Sequence, residues 1–348
     1  MLDRRKFLEV AGAGAAALAL AACNGAPSDA QGDAEPAADE PQEAPADPVA
    51  VRTVALKGPT AMGLVRFMSE AEAGNAADND YTFQIMASPD EVTPLIAKGE
   101  VDIAAVPANL AATLYNKNDG SVRAIAINTL GVLYICELGD TVHSVEDLRG
   151  KTVISSGKGS TTEYGLAYVL EKNGLAVGED VTIEWKSEHA ECVAALAASS
   201  GDAVALLPQP FVTTAQAQND QIRVALDLTE EWDRVQTGDE RSSMVTGVAI
   251  VRSEFADASP AAVDAFLAHY AESVDFVNEN VDEAAELVGS YDIVPAQVAK
   301  KAIPECNIVC VTGEEMKGRL SGYLQALADQ NPEAVGGAVP GDDFYYGA

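Results

Sequence analysis

Side chains able to bind or react gather in seven short segments: 57-KGPTAM-62, 87-ASPDE-91, 106-VPAN-109, 128-NTLG-131, 157-GKGSTT-162, 207-LPQPFVT-213 and 244-MVTG-247. They are rich in Gly, Ser, Thr, Asn and Gln. Backbone N–H, hydroxyl and carboxamide groups of this kind hold a small polar or anionic molecule by directed hydrogen bonds, without covalent chemistry. The candidate ligand contacts are Gly58, Thr60, Ala61, Ser88, Asn109, Asn128, Thr129, Gly159, Ser160, Thr161, Gln209, Phe211 and Thr246. No catalytic residue is expected, since a hydrolase needs a nucleophile elbow and no Gly-x-Ser-x-Gly occurs. Each candidate also has a plain structural use. Ser88, Ser160 and Ser187 serve as helix caps, Asn109 and Gln209 satisfy turn backbone, and Phe211, Trp185 and Trp232 pack as core. Lys57 and Lys158, the bases in these segments, can equally be solvated.

The elements that carry these loops follow from hydrophobic patterning. From residue 51 strand-like and helix-like runs alternate, which predicts an α/β fold with largely parallel sheets. Val51 to Leu56 reads as a strand, followed by a helix closing at Gly74. Tyr81 to Met86 is a second strand, and Ser88-Pro89-Asp90-Glu91 reads as a capping box with Pro at the first helical position. Val101 to Val106 is an apolar strand stopped by Pro107, as expected when both faces are covered.

The same order then returns about a hundred residues later. Thr152 to Ser155 leads into Gly157-Lys158-Gly159, with Ser160 and Glu163 as another capping box. Val181 to Trp185, a Ser187 cap, a helix over 190–199 and Ala203 to Leu207 follow, and Pro208 ends that run. Two such units predict two similar lobes, 51–138 with 244–348 and 139–243, whose connections cross near 138–143 and 236–244. Ligands in open α/β sheets sit beyond the carboxyl ends of the strands, so the seven segments would face one shared cleft. Phe344-Tyr345-Tyr346 reads as a docking anchor for the C-terminus.

Composition narrows the partners. The 348 residues include 54 acids and 22 bases, a formal charge of −32, which disfavours nucleic acid and anionic lipid headgroups. Arg4-Arg5-Lys6 precedes the apolar stretch Ala11 to Ala22, which is too short to span a bilayer and suits a signal peptide over 1–22. Gly12-Ala13-Gly14 mimics a dinucleotide-binding pattern, but no strand precedes it. Residues 24 to 50 carry seven acids and no Lys or Arg, and read as an extended tether. Cys136, Cys192, Cys306 and Cys310 read as small buried hydrophobes, although a disulfide is open to them outside the cell. With three His, none beside a Cys pair, no metal and no cofactor is expected.

Leu20-Ala21-Ala22-Cys23 resembles the lipobox of bacterial lipoproteins, in which the Cys is diacylated and becomes the new N-terminus; the paired Arg resembles a twin-arginine signal, with Asp3 and Glu9 departing from its flanks. Gly99 to Pro107, Asp147 to Val153 and Thr246 to Arg252 resemble segments of substrate-binding lipoproteins of ABC importers, of the nitrate, sulfonate, taurine and thiamine-precursor type. The resemblance spans residues 51 to 335. It implies a two-lobed type II periplasmic-binding-protein fold, each lobe a mostly parallel sheet flanked by helices, joined by a two-stranded hinge. It also implies a monomer, tied by its lipid to the outer face of the cytoplasmic membrane, that captures a sulfonate-like, nitrate-like or heterocyclic molecule and delivers it to a permease. Gly157-Lys158-Gly159-Ser160 lacks the Walker spacing, so the ATPase would be another subunit. Enzymes of the pyrimidine-synthase and menaquinone types share the fold. The Cys-rich run of the former is absent here, and the latter act inside the cell.

Overall fold

A computed structural model describes residues 48–236 and 242–348. The signal peptide, Cys23 and most of the tether lie outside the described residues. In chain order the first half holds β1 (Ala50–Leu56), α1 (Pro59–Met62), α2 (Val65–Glu72), β2 (Asp80–Met86), α3 (Pro89–Ala97), β3 (Ile103–Pro107), α4 (Ala108–Lys117) and β4 (Val122–Leu130). Then come β5 (Leu133–Leu138), β6 (Thr152–Ser155), α5 (Thr161–Lys172), β7 (Thr182–Trp185), α6 (His189–Ala198), β8 (Ala203–Pro208), α7 (Phe211–Gln218), β9 (Ile222–Asp227) and α8 (Leu228–Arg234). The chain ends with β10 (Val245–Arg252), α9 (Ser253–Ala258), α10 (Pro260–Glu279), α11 (Val281–Ser290), α12 (Ala296–Ala302), β11 (Ile308–Val311) and α13 (Gly313–Gln330).

Two sheets form, in the orders β11-β4-β10-β3-β1-β2 and β7-β6-β8-β5-β9. The repeated units supply the parallel strands expected, β2-β1-β3 and β7-β6-β8. Beyond them the ladders are antiparallel, because β10 and β5 enter each sheet from the opposite end. The first crossing therefore does not lie near 138–143. β5 pairs along its whole length with β8, so the chain passes between sheets at Gly131 and Val132. The second runs from α8 to β10, and residues 237–241 of it lie outside the described residues.

Core placement follows the pattern. Val54, Val106 and Ile103 are shielded on both faces of the first sheet, as their continuous apolar run requires. One apolar cluster extends through both halves where Trp232 stacks on Tyr168 at 4.0 Å and tilts against Tyr323 at 5.4 Å. Cys136, Cys192 and Cys306 are buried and all four described cysteines are free. The C-terminal anchor docks as expected: Phe344 and Tyr345 are buried, and the Tyr346 N–H donates to the Ala124 carbonyl at 2.9 Å.

Each sheet also buries a carboxylate at the edge remote from these loops. Asp102 accepts from the Arg52 backbone N–H, from both ends of its guanidinium and from Arg252, at 2.8–3.0 Å. Glu137 is bound by Thr141, Val142 and Arg223. Such fully paired carboxylates are compatible with a core where lone ones are not.

Candidate functional site

Loops after the parallel strands make three local groupings: Thr60 with Asn128 and Gly247, Asn109 with Gly159 and Thr161, and His189 with Ser156 and Phe211. Gly58 opens α1 at φ 129° and ψ −155°, a backbone region closed to residues with a Cβ. Thr60 donates its hydroxyl to the Leu56 carbonyl at 2.8 Å, so its oxygen stays available only as an acceptor. Ala61 is 0% exposed and packs in the core.

Asn128, Thr129 and Thr246 are strand residues rather than loop residues. Gly247 pairs with Thr129 and Val248 with Ile127, which makes Asn128 an extra residue on β4. Val245 pairs with Leu130, which makes Thr246 the extra residue on β10. Bulges of this kind re-aim side chains beside sites. Gly247 is required at this spot: a Cβ there would come within 2.5 Å of Asn128 Oδ1 and 2.6 Å of Thr60 Cγ2. Thr60 and Asn128 are thus brought together across a glycine.

The serine caps behave differently from the sequence expectation. Ser88 makes no side-chain cap bond, and Glu188 rather than Ser187 holds the N-cap position of α6. The recurring element is the glutamate. Glu91 accepts from Ala87 N–H at 3.0 Å, Glu163 from Gly159 N–H at 2.6 Å and Glu191 from Ser187 N–H at 3.0 Å. Each carboxylate at the third helical position folds back over its own helix start and complements the positive end of the dipole. Ser160 does cap, accepting from Thr162 N–H at 3.3 Å.

The halves meet at Asn109. Its Nδ2 lies 3.4 Å from the Gly159 carbonyl, and Thr161 Oγ1 lies 3.4 Å from its Oδ1. Asn109 of the first half therefore lies directly against Gly159 and Thr161 of the second. Gln209 is largely occupied with its own helix, accepting from the Thr213 hydroxyl at 3.0 Å. Phe211 tilts against the His189 ring at a centroid distance of 5.0 Å, and Ser156 Oγ lies 2.5 Å from His189 Nδ1.

His189 and Ser156 were not singled out from sequence. The readable signal is position: His189 opens the helix after β7, in the second unit's counterpart of the loop after β2. Burial lowers the imidazole to about 4, so it is neutral at pH 7. A histidine depressed below its unfolded value contributes stability above about 6.5 that is lost as pH falls toward 4. Thermal melts of the wild type should drop across that window, and His189→Gln should flatten the drop. An unchanged profile in the variant would refute this.

A cavity of about 500 Å³ lies where α7 and β9 face the segment before β11. Tyr134, Gln209, Thr213 and Asp227 bound it from the second half, and Lys301 and Glu305 from the segment preceding β11. Tyr134 donates across to the Glu305 carbonyl at 3.1 Å. Its phenol is held protonated by burial and by the nearby Asp227 and Glu305. Among the described residues no group of three or more His, Cys, Asp or Glu could hold a metal ion.

A family model described as "ABC transporter, phosphonate, periplasmic substrate-binding protein" matches residues 74–300. No curated protein sequence gives a significant match. Solved structures with the same fold include an ABC transporter protein from Parabacteroides distasonis, 23% identical, covering 85% of this chain and 98% of that one at a TM-score of 0.68. The periplasmic aliphatic sulphonate binding protein of Escherichia coli is 15% identical over 86% of this chain and 91% of its own, at 0.67. The alkanesulfonate-binding protein of Xanthomonas axonopodis, bound to MOPS, is 16% identical over 85% and 96%, at 0.63. The two-lobed binding-protein fold expected from the sequence is the fold these proteins share. The matching model carries the phosphonate description, beside the nitrate, sulfonate, taurine and thiamine-precursor type that the sequence resembles.

Proposed function

Because this chain belongs to the phosphonate-type family of ABC-transporter periplasmic substrate-binding proteins, we propose that it captures one small polar molecule between its two sheets and hands it to a membrane permease driven by a separate ATPase subunit. The observation that carries the reading is the cavity of about 500 Å³ bounded by residues from both halves, with Gln209 the candidate contact among them. That volume lies within the range of small-molecule sites. We take the halves as two lobes, the first from β1 to β4 together with β10 onward, the second from β5 to α8.

Candidate contacts are Gly58, Thr60, Asn109, Asn128, Gly159, Thr161, Gln209 and Phe211, with Ser156 and His189 added. Hinge closure about Gly131 would trap the ligand. A ligand that binds only the native form raises the melting temperature, so melts of the full-length protein against pooled small polar metabolites test the reading. A panel with no shift in any pool would count against it.

Anchoring through Cys23 belongs to the same proposal. Cys23→Ser should move the protein from the membrane fraction to the soluble fraction of disrupted cells, since a short apolar leader without lipid cannot hold it. Retention of the variant in membranes would exclude a lipid anchor at Cys23.

A further inference from the structure

Lys301 and Glu305 stand four residues apart in the stretch that closes α12 and leads to β11, and both line the cavity of about 500 Å³. Opposite charges at that spacing on a helix commonly pair with each other. Here they do not. Lys300, next along the chain, bonds Asp282 at 2.7 Å, whereas among the described residues Lys301 Nζ and the Glu305 carboxylate have no ion pair or hydrogen bond.

Gln209 and Asp227 line the same cavity from the second half. Gln209 is 5% exposed, and its Oε1 accepts from the Thr213 hydroxyl at 3.0 Å and from the Thr213 backbone N–H at 3.4 Å. A backbone N–H can only donate, so the oxygen is the end turned to Thr213 and both Nε2 hydrogens are left over. Among the described residues Nε2 has no partner. A buried amide with free donors on a cavity wall costs folding free energy until something enters to accept them. Asp227 uses Oδ1 at the start of α8, accepting from the Thr229 N–H at 2.8 Å, and keeps Oδ2 open.

Each half therefore brings one N–H donor group and one carboxylate to the cavity: Lys301 and Glu305 from the first, Gln209 and Asp227 from the second. Burial raises the Tyr134 phenol, and the charges of Asp227 and Glu305 raise it further, which puts both carboxylates near that ring.

We infer that Lys301 and Glu305, with Gln209 and Asp227 from the second half, read a ligand carrying an acid group and an ammonium group together, an aminoalkylphosphonate rather than a plain alkylphosphonate. The inference rests on the small-molecule reading of this cavity given above, and it names the residues with which the first half completes the site. The acid accepts from Lys301 Nζ and Gln209 Nε2, and the ammonium donates to Glu305 and to Asp227 Oδ2. Charge decides against either group alone. The lining holds two carboxylates and one ammonium, so a phosphonate without its own cation meets two like charges for one opposite. A simple amine meets Lys301 and leaves the buried Gln209 donors unanswered. Each charged end of a zwitterion touches both halves, so one molecule ties them together at two points.

Calorimetric titration of the full-length protein with matched pairs tests this: 2-aminoethylphosphonate against ethylphosphonate, and 3-aminopropylphosphonate against propylphosphonate. In at least one pair the amine should tighten binding by about 10–100-fold, the range for a hydrogen bond to a charged group. Glu305→Gln keeps the shape and removes the charge. It should weaken the aminophosphonate by about 10-fold or more and tighten the plain phosphonate, opposite signs that a loss of folding does not produce. Asp227→Asn, which preserves a cap for α8, should act the same way. Lys301→Met should weaken both members of a pair. Lys301 and Glu305 are exposed and unpaired, so their variants should melt with the wild type.

Three results would overturn the inference. If a plain phosphonate binds as tightly as its amino partner and no variant alters either, the zwitterion reading fails while capture stands, with its site elsewhere. If Glu305→Gln weakens both members of a pair equally, Glu305 props the site and does not read the ammonium. If no member of either pair binds, the inference falls, and the melts against metabolite pools decide whether the capture reading falls with it.

Discussion

Asp102→Ala is expected to cost about 3–5 kcal/mol of folding stability, the usual result of removing one partner from a buried ion pair. Asp102 is 2% exposed and sits between two arginines, Arg52 and Arg252, whose side chains are 40% and 18% exposed. It also binds the Arg52 backbone N–H at 3.0 Å, tying β1 to β3. Removing the carboxylate leaves the half-buried Arg252 guanidinium without its main counter-charge, in a site built for an anion. Burial alone would push the Asp102 carboxyl up, but the hydrogen bonds from Arg52 and Arg252 outweigh it and the net shift is downward. A depressed carboxyl contributes stability above its unfolded value near 4 and loses it as pH falls below that. Urea unfolding at pH 7 measures the first effect, and an acid titration of the melting temperature measures the second. A loss under about 1 kcal/mol at pH 7 would show the ion pair to be energetically idle.

Gly131→Ala is the second large effect expected. Gly131 lies where the chain leaves the first sheet for the second, between β4 and β5. A Cβ at that position would fall 1.9 Å from Thr229 Oγ1 and 2.9 Å from both Thr229 Cβ and Cγ2, at the first turn of α8. Its carbonyl is meanwhile held by the Asn307 side chain at 2.5 Å, so the backbone cannot simply retreat. Forced contacts of this sort cost about 1–3 kcal/mol. Thr229→Ala removes the two outer atoms and should recover part of the loss, a coupling that a double-mutant cycle reads directly. Because the clash is with the second half, Gly131→Ala should also slow or weaken closure about this crossing. Additive single-mutant effects would mean that the two residues do not meet.

These two positions also show what could be read in advance. The parallel units were legible because period, glycine stops and prolines repeat: the run before Pro107 and the run before Pro208 are both buried strands at equivalent places. Helix starts were legible too: Ser160 caps and the glutamates Glu91 and Glu163 of the two expected capping boxes fold back over their helices, while Ser88 and Ser187 do not cap and Glu191 makes the same back-bond at α6. The crossing at Gly131 was not readable, since 128-NTLG-131 looks like a loop. Only pairing with β10 and β8, which are distant in sequence, turns its flanks into strands in different sheets. Asn109 with Thr161, and Thr60 with Asn128, were legible as polar residues after strands, but their proximity depends on bulges and on lobe packing that no local pattern encodes.

The central claim is that the two halves close on one small molecule. The most direct measurement is native mass spectrometry of the full-length protein equilibrated with a small-molecule extract of cells, beside the same experiment on Thr213→Trp. That variant drives a bulky side chain into the cavity that Thr213 lines. The account expects a single adduct of about a few hundred daltons at one per chain, consistent with a cavity of about 500 Å³, and expects the variant to lack it. A folded wild type that carries no adduct, or a variant that keeps the same adduct at the same occupancy, would contradict it.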